Sequence, residues 1–88
     1  MIEFMRGAVR VHVLYHAARG EVYGAWIIDE LARHGHRIGP GTLYPMLQKM
    51  QDEGLLTSRF DVVAGHRRRC YRITPGGRRQ LRKAQKAV

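Results

Sequence analysis

The chain of 88 residues contains one cysteine, so it cannot form an internal disulfide, and Cys70 suits a reducing compartment. It lacks any apolar run that approaches the roughly 18 residues of a membrane-spanning helix. Charged and histidine side chains occur at intervals between Glu3 and His16, which excludes the apolar segment of a signal peptide. These absences predict a cytoplasmic protein with no membrane partner.

The sequence also lacks the residue patterns that are typical of enzymes. It has no Ser/His/Asp or Cys/His constellation and no glycine-rich loop that would hold a phosphate. His12 and His16 are four residues apart and would share a helix face, but no third ligand follows at a diagnostic spacing. Cys70 would need a thiol from another chain to act as a redox switch. We therefore predict no enzymatic activity, no cofactor and no metal, and interpret the two histidines as surface or interface residues.

Acidic residues are scarce, with seven Asp and Glu against sixteen Lys and Arg, for a formal net charge of +9 and a pI near 10.9. The excess is concentrated in residues 39–88, which carry eleven basic and three acidic side chains. Residues 1–38 are nearly neutral. A small single domain with its positive charge in one half favours a polyanionic partner, namely double-stranded DNA.

The sequence of residues 39–56 predicts a helix that would enter a DNA groove. Gly39, Pro40 and Gly41 indicate a turn, and Gly54 suits the position just after a helix. Apolar residues recur between them at the three- and four-residue spacing of one helix face; they are Leu43, Met46, Leu47 and Met50. The residues on or beside the opposite face are Thr42, Tyr44, Pro45, Gln48 and Lys49.

Each of these outward side chains has a role that it could take on DNA. Thr42 and the backbone N–H groups at the helix start suit phosphates or base edges. Gln48 is suited to adenine, and Lys49 to guanine or a phosphate. Tyr44 would donate its hydroxyl to a phosphate or, alternatively, pack under the neighbouring hairpin. The simpler alternative for the whole set is an ordinary solvated helix face.

Two helices are predicted ahead of this segment. The first extends from Glu3 to Arg19, and its apolar stripe is Met5, Val9, Val13, Leu14 and Ala17. A short connection at residues 21–24 leads to the second helix, from about Tyr23 to His34, whose inward residues are Ile27, Ile28 and Leu31. Trp26, Tyr15 and Tyr23 would pack in the core or an interface, or line a pocket for a flat effector. A second and third helix joined by a short glycine-containing segment are typical of a helix-turn-helix.

After Gly54 the apolar period changes from 3.6 to 2, which predicts a β-hairpin. Its strands are residues 56–62 and 68–73, and residues 64–67 form the turn. Arg67, Arg68 and Arg69 would lie at the tip and contact the DNA backbone or the minor groove. Because side chains alternate along a strand, Arg67 and Arg69 share one face and Arg68 lies on the other.

A last helix is predicted from Thr74, as N-cap, and Pro75, at the first helical position. Leu81, Ala84 and Val88 give it a thin apolar stripe, and its other side chains are mostly basic. We expect it to pack on the first helix, from the same or a second subunit. Its basic face would serve solubility or general attraction to DNA.

Several segments together resemble the PadR-like family of winged helix-turn-helix transcription regulators. The resemblance covers roughly Val13 to Gly77 and is carried by residues 23–24, 40–45, 53–55 and 67–77. The GTLYP and YRITPGG segments are a fairly specific pair. The resemblance implies a homodimer that binds a pseudo-palindromic operator, usually as a repressor, with a small-molecule effector in some members. Longer members of the family carry an extended helical dimerisation region after the hairpin, whereas this chain ends within the first helix of that region. Residues 1–19 and 75–88 are the predicted dimerisation helices.

The predicted fold is mainly α with a small β-hairpin, a winged helix-turn-helix in one domain. It has a three-helix core, a two-stranded wing and a short C-terminal helix. Alternatives are a MarR-like regulator, a nonspecific nucleic-acid binder or a protein-binding adaptor. The candidate DNA-binding residues are Tyr23, Gly41, Thr42, Tyr44, Pro45, Gln48, Lys49, His66, Arg67, Arg68 and Arg69.

Overall fold

The computed structural model describes the backbone of residues 2–87 and the side chains of residues 7–87. Four helices and three strands follow one another along the chain. In order they are α1 (Ile2–Ala18), β1 (Val22–Tyr23), α2 (Gly24–Arg33), α3 (Pro40–Asp52), β2 (Leu56–Val63), β3 (His66–Ile73) and α4 (Pro75–Lys86). The strands form one antiparallel sheet in the order β1-β3-β2. The predicted winged helix-turn-helix, mainly α with a small β wing, is confirmed.

The core forms where the apolar stripes of the helices meet one face of the sheet. The predicted inward residues that the structure describes are buried, except that Ile28 and Ala84 are only partly buried. Met5 and Val88, which the sequence assigns to the stripes of the first and last helices, lie outside the described side chains. Over the described residues, no helix has both the length and the apolar character needed to cross a membrane.

The C-terminal helix α4 begins as the sequence predicts. The Gly77 N–H donates to Thr74 Oγ1 at 2.9 Å, so Thr74 is the N-cap, and Pro75 occupies the first helical position. Leu81 is buried in the common core, and α4 packs on α1 of the same chain. Of the two arrangements expected for α4, packing on the first helix of its own subunit is therefore present.

A third strand, β1, occupies residues that the sequence pattern indicates only as a connection between helices. Val22 pairs with Tyr71, and Tyr23 pairs with Cys70, so β1 forms the edge of the sheet next to β3. Two residues are too few to produce a detectable alternation of apolar and polar side chains. The sheet therefore has three strands, of which only β2 and β3 form the projecting wing.

The turn of the wing is shorter than predicted. Ala64 and Gly65 alone connect the strands, both with positive φ (52° and 79°), and Val63 pairs directly with His66. Two successive residues at positive φ are typical of the tight hairpin turn that normally prefers Asn-Gly. Because alanine occupies the first position, the local turn signal is weak. His66 and the arginines after it consequently lie along β3, and the three arginines are not at the tip.

Candidate nucleic-acid interface

Helix α3 presents the predicted polar face to solvent. It begins at Pro40, with Gly39 as N-cap, so Gly41 lies in its first turn and not in a preceding turn. Leu43, Leu47 and Met50 are completely buried and fix the rotation of the helix. The candidate residues on its other side are all exposed: Gly41, Thr42, Tyr44, Pro45, Gln48 and Lys49.

The first turn of α3 offers few free backbone donors. Pro40 has no N–H, and the N–H groups of Thr42 and Leu43 both donate to the Gly39 carbonyl, at 3.1 and 2.9 Å. The Gly41 N–H is therefore the main backbone donor left at the start of α3 to bind an anion. Pro45 lies inside the helix and cannot donate to the Gly41 carbonyl, which leaves that carbonyl without its helical partner.

Two wing arginines lie over one aromatic ring. The guanidinium carbons of Arg67 and Arg69 are 3.8 and 4.6 Å from the centre of the Phe60 ring. Phe60 is directly opposite Arg69 in the β2–β3 pair, which brings all three side chains to one face of the wing. Stacking leaves the edge N–H groups of a guanidinium available to an anion. Arg68 is exposed on the other face, as the alternation predicts.

The wing is joined to α3 through Gln48. Arg69 Nη1 donates to Gln48 Oε1 at 3.3 Å, and Gln48 Nε2 donates to Asp52 Oδ1 at 3.0 Å. Both ends of the amide are therefore occupied within the chain. A contact between Gln48 and a base would have to replace at least one of these exposed hydrogen bonds.

The ring of Tyr44 packs against the start of α2. A Cβ atom placed on Gly24 would lie 2.4 Å from Tyr44 Cε1, so only glycine permits this approach without movement of the ring. Tyr44 nevertheless keeps 44% of its surface exposed. The ring thus packs against the start of α2, while part of its surface remains open to solvent.

The candidate residues divide between two depressions on either side of α3. A groove of about 600 Å³ between α3 and the wing brings together Tyr23, Tyr44, Gln48, His66, Arg67, Arg68 and Arg69. A second depression of about 510 Å³, between α3 and α1, is lined by Gly41, Thr42, Pro45 and Lys49, with Arg10 from α1. The structure therefore gathers the predicted residues around α3, on two adjacent surfaces.

Tyr23 has a structural partner in the wing. Its hydroxyl donates to Asp61 Oδ2 at 3.1 Å. This hydrogen bond, together with the neighbouring Cys70 thiol, raises the pKa of Tyr23 to about 12, so the phenol stays protonated at neutral pH. The interaction links β1 to β2 across β3, and it occupies the hydroxyl that a DNA contact would use.

Two acidic side chains near the wing and α3, Glu21 and Glu53, are paired with basic residues other than Arg67, Arg68 and Arg69. Glu21 accepts two hydrogen bonds from Arg59, at 2.7 and 2.9 Å, and the pKa of Glu21 is lowered chiefly by that contact. Glu53 pairs with Arg10 at 2.6 Å. Among the described residues, the successive arginines 67–69 of the wing form no salt bridge. Their charge is thus available to an external anion.

Two features of this surface differ from the sequence-based expectations. The sequence pattern places Phe60 in a strand and predicts no role for it, although an aromatic residue on the strand opposite an arginine run is a detectable signal for stacking. The predicted aromatic grouping is also corrected in part. Trp26 and Tyr15 are 44% and 42% exposed, so neither lies in the core.

Comparisons with known proteins agree with this architecture. The sequence model of the transcriptional regulator PadR-like family matches residues 13–83. The transcriptional regulator Rv3488 of Mycobacterium tuberculosis is 53% identical over 88 residues, which are all of this chain and 82% of that protein.

Two solved structures have the same fold. A PadR family transcriptional regulator from Eggerthella lenta superposes with a TM-score of 0.86 at 35% identity, covering 98% of this chain and 76% of that one. Bacillus subtilis PadR in complex with operator DNA has a TM-score of 0.79 at 22% identity, covering 89% of this chain and 47% of that one. These matches decide between the family that the sequence resembles and the MarR-like alternative: the chain belongs to the PadR-like family of transcriptional regulators.

Proposed function

We propose that this regulator binds double-stranded DNA in a sequence-specific manner, with α3 in the major groove and the β2–β3 wing on the adjacent backbone or minor groove. The observation that carries the proposal is the contact between the two elements. Arg67 and Arg69 stack on Phe60, and Arg69 donates a hydrogen bond to Gln48 of α3. A cationic wing is thereby held beside the exposed face of a helix whose other face is buried in the core, as a groove-binding helix with flanking phosphate contacts requires.

The roles of the side chains follow from their positions. Lys49 and Thr42, on the α1 side of α3, are exposed and suited to phosphates or base edges. Tyr44 and Gln48 lie on the wing side, where the tyrosine hydroxyl suits a phosphate and the amide suits adenine. Tyr23 takes part by fixing β1 to the wing through Asp61, and not by a direct contact of its hydroxyl.

A homodimer on a pseudo-palindromic operator, acting as a repressor in the cytoplasm, is part of the same proposal. α1 and α4 pack together in one domain, and α4 has its basic side chains on the surface, so this helix pair is the surface we propose for dimerisation. The two copies of α3 would then lie about one helical turn of DNA apart, about 34–36 Å. A fold relative, Bacillus subtilis PadR, has been crystallised with operator DNA. Sedimentation equilibrium of the full chain, with and without DNA, tests the stoichiometry.

The direct test of DNA recognition is a fluorescence-anisotropy titration with DNA from upstream of the gene and with a shuffled duplex of equal length, at two salt concentrations. A specific regulator should prefer the upstream duplex by about 10³-fold or more near physiological salt. Lys49→Ala should weaken that preference, while Lys86→Ala, at the far end of α4, is the matched control.

The alternative that the charge favours is nonspecific binding to nucleic acid. A nonspecific binder would show equal affinities for both duplexes, and both would decrease together as salt rises. That outcome with several candidate upstream sequences would refute sequence-specific recognition. A protein-binding adaptor would lose little affinity for its partner when Arg67 and Arg69 are both replaced by alanine.

A further inference from the structure

Four of the five histidines meet where α1 packs on α2, away from the proposed DNA surface. The His12 ring centre lies 5.2 Å from that of His36, 5.6 Å from that of His34 and 6.4 Å from that of His16. His34 Nε2 is 3.1 Å from Glu30 Oε1. The sequence pairs His12 with His16 but offers no third ligand near them, and folding supplies further ligands from α2 and the segment after it.

Three of these side chains are arranged to share one ion. One ligand atom each from His16, Glu30 and His34 lies within 4.8 Å of the other two. Ligand atoms around a tetrahedral zinc ion are about 3.3 Å apart, given bonds of about 2.0–2.1 Å. Partly exposed side chains can close this difference by small rotations about their own torsions. Glu30 of α2 and His34 at the C-cap of α2 lie beside His16 of α1, and helical bundles likewise form metal centres from side chains on facing helices.

The three side chains differ in their exposure. His16 and Glu30 are partly buried, and His34 lies at the surface. His34 is half exposed, which leaves a path for an ion from solvent.

A purely structural interpretation explains only part of the cluster. Glu30 pairs with His34 and, at 3.8 Å, with the exposed Arg33, which are ordinary helix-surface contacts. Such contacts do not account for His16, which belongs to another helix, lying beside the same carboxylate. A shared cation accounts for the gathering of two imidazoles around a single acid, because each ligand would donate one lone pair to it.

We propose that His16, Glu30 and His34 bind one divalent transition-metal ion of the zinc class, with solvent at the remaining position. Imidazole and carboxylate donors suit Zn²⁺, Co²⁺ or Ni²⁺ and are unfavourable for Mg²⁺, which prefers oxygen ligands and retains its waters. The ion would join α1 to α2, and so connect a helix proposed for dimerisation to the helix-turn-helix. Metal binding does not depend on the proposed DNA binding and is measured without DNA.

The test is isothermal titration of ZnCl₂, CoCl₂ and MgCl₂ into the full chain without a histidine tag, which would itself bind metal. We expect one Zn²⁺ per chain, no Mg²⁺ binding, and the intense visible absorption that marks tetrahedral Co²⁺. Even outer partners of a metal site contribute about 10–100-fold to affinity, so His16→Ala and His34→Ala should each weaken Zn²⁺ binding at least about tenfold. Glu30→Gln, which keeps the size of the side chain, should weaken it comparably.

His66→Ala is the matched control, because His66 is an exposed histidine on the wing strand β3. It should bind Zn²⁺ as the parent does. Equal weakening by His66→Ala and His16→Ala would overturn the proposal, as would unchanged affinity in Glu30→Gln and His16→Ala. Circular dichroism verifies folding of each variant, and Zn²⁺ should raise the Tm of the parent and of His66→Ala but not that of His34→Ala.

Discussion

Phe60 has no charge and no hydrogen-bonding group, yet its replacement should weaken DNA binding. It is 48% exposed, and its ring supports the guanidinium groups of Arg67 and Arg69 at 3.8 and 4.6 Å. Phe60→Leu keeps an apolar side chain on the same face of the wing but removes the flat, electron-rich surface. Arg67 would then be free to adopt many rotamers before it meets DNA, and Arg69 would be held only by its hydrogen bond to Gln48.

The expected rise in Kd can be estimated from the lost restraint on the arginine side chains. A cation–π contact at an exposed site contributes about 0.5–1 kcal/mol, so the two contacts together contribute about 1–2 kcal/mol. Fixing a long side chain during binding costs about 0.5–1.5 kcal/mol, which gives a similar range for two arginines. A tenfold change in Kd corresponds to about 1.4 kcal/mol. We therefore expect Phe60→Leu to raise the Kd for DNA about tenfold.

Salt dependence separates this effect from loss of charge. Phe60→Leu leaves every phosphate-binding cation in place, so the slope of log K against log salt should match that of the parent. Arg67→Ala removes one cation and should reduce the slope by about 0.9. Val62→Ala is the matched control, because Val62 is 69% exposed, lies on the same strand face as Phe60 and pairs opposite Arg67.

Fluorescence anisotropy with one labelled duplex over several salt concentrations gives both quantities. Parental affinity in Phe60→Leu would refute the reasoning that stacking organises the arginines for DNA. A reduced slope in this variant would show that the ring determines how many cations reach phosphates, and not only how ordered they are. Phe60→Tyr, which keeps the ring, should retain parental affinity.

Three further tests concern the groove beside Tyr44, the turn of the wing and the start of α4. Gly24→Ala should displace the Tyr44 ring, because the new Cβ would lie 2.4 Å from it. It should weaken DNA binding about as much as Tyr44→Phe, which loses a hydrogen bond to a phosphate and should raise the Kd roughly tenfold. Parental DNA affinity in both variants would exclude Tyr44 from the interface. Ala64→Asn should stabilise the fold by about 1 kcal/mol in thermal unfolding, since asparagine tolerates the positive φ of 52°, and a lowered Tm would contradict the turn. Gly77→Ala should lower the free energy of unfolding by about 1–3 kcal/mol, because its Cβ would lie 2.2 Å from a backbone carbonyl oxygen. Gly41→Ala, which has open space around it, should raise the free energy of unfolding by about 0.5–1 kcal/mol. Equal Tm values for the two variants would refute the close approach at Gly77.

The helices could be predicted from the sequence because each has a long apolar period and a local end signal. The stripe of Leu43, Leu47 and Met50 repeats over several turns, and all three are completely buried. Thr74 and Pro75 fix the start of α4 through a hydrogen bond that involves only nearby residues. Such signals depend on neighbours in the chain and are therefore visible without the fold.

The errors lie where the stabilising partner is distant or the local residue is atypical. β1 exists because Val22 and Tyr23 pair with Tyr71 and Cys70, nearly fifty positions away, and two residues have no periodicity of their own. The turn was predicted too long because Ala64 replaces the asparagine or aspartate that usually occupies its position. The pairing of β2 with β3 imposes the positive φ on Ala64, although alanine prefers negative φ.

In both candidate sites the sequence identifies some of the residues, but the contacts between them depend on the fold. Chain order and charge were enough to predict Gln48 and the wing arginines as DNA-binding candidates. The hydrogen bond from Arg69 to Gln48 and the stacking on Phe60 depend on how β2, β3 and α3 pack. Similarly, His16 and His34 are eighteen positions apart in the sequence, and only the packing of α1 on α2 places both beside Glu30. A metal site divided between two helices has no fixed spacing to detect, so its ligands become visible only in the folded chain.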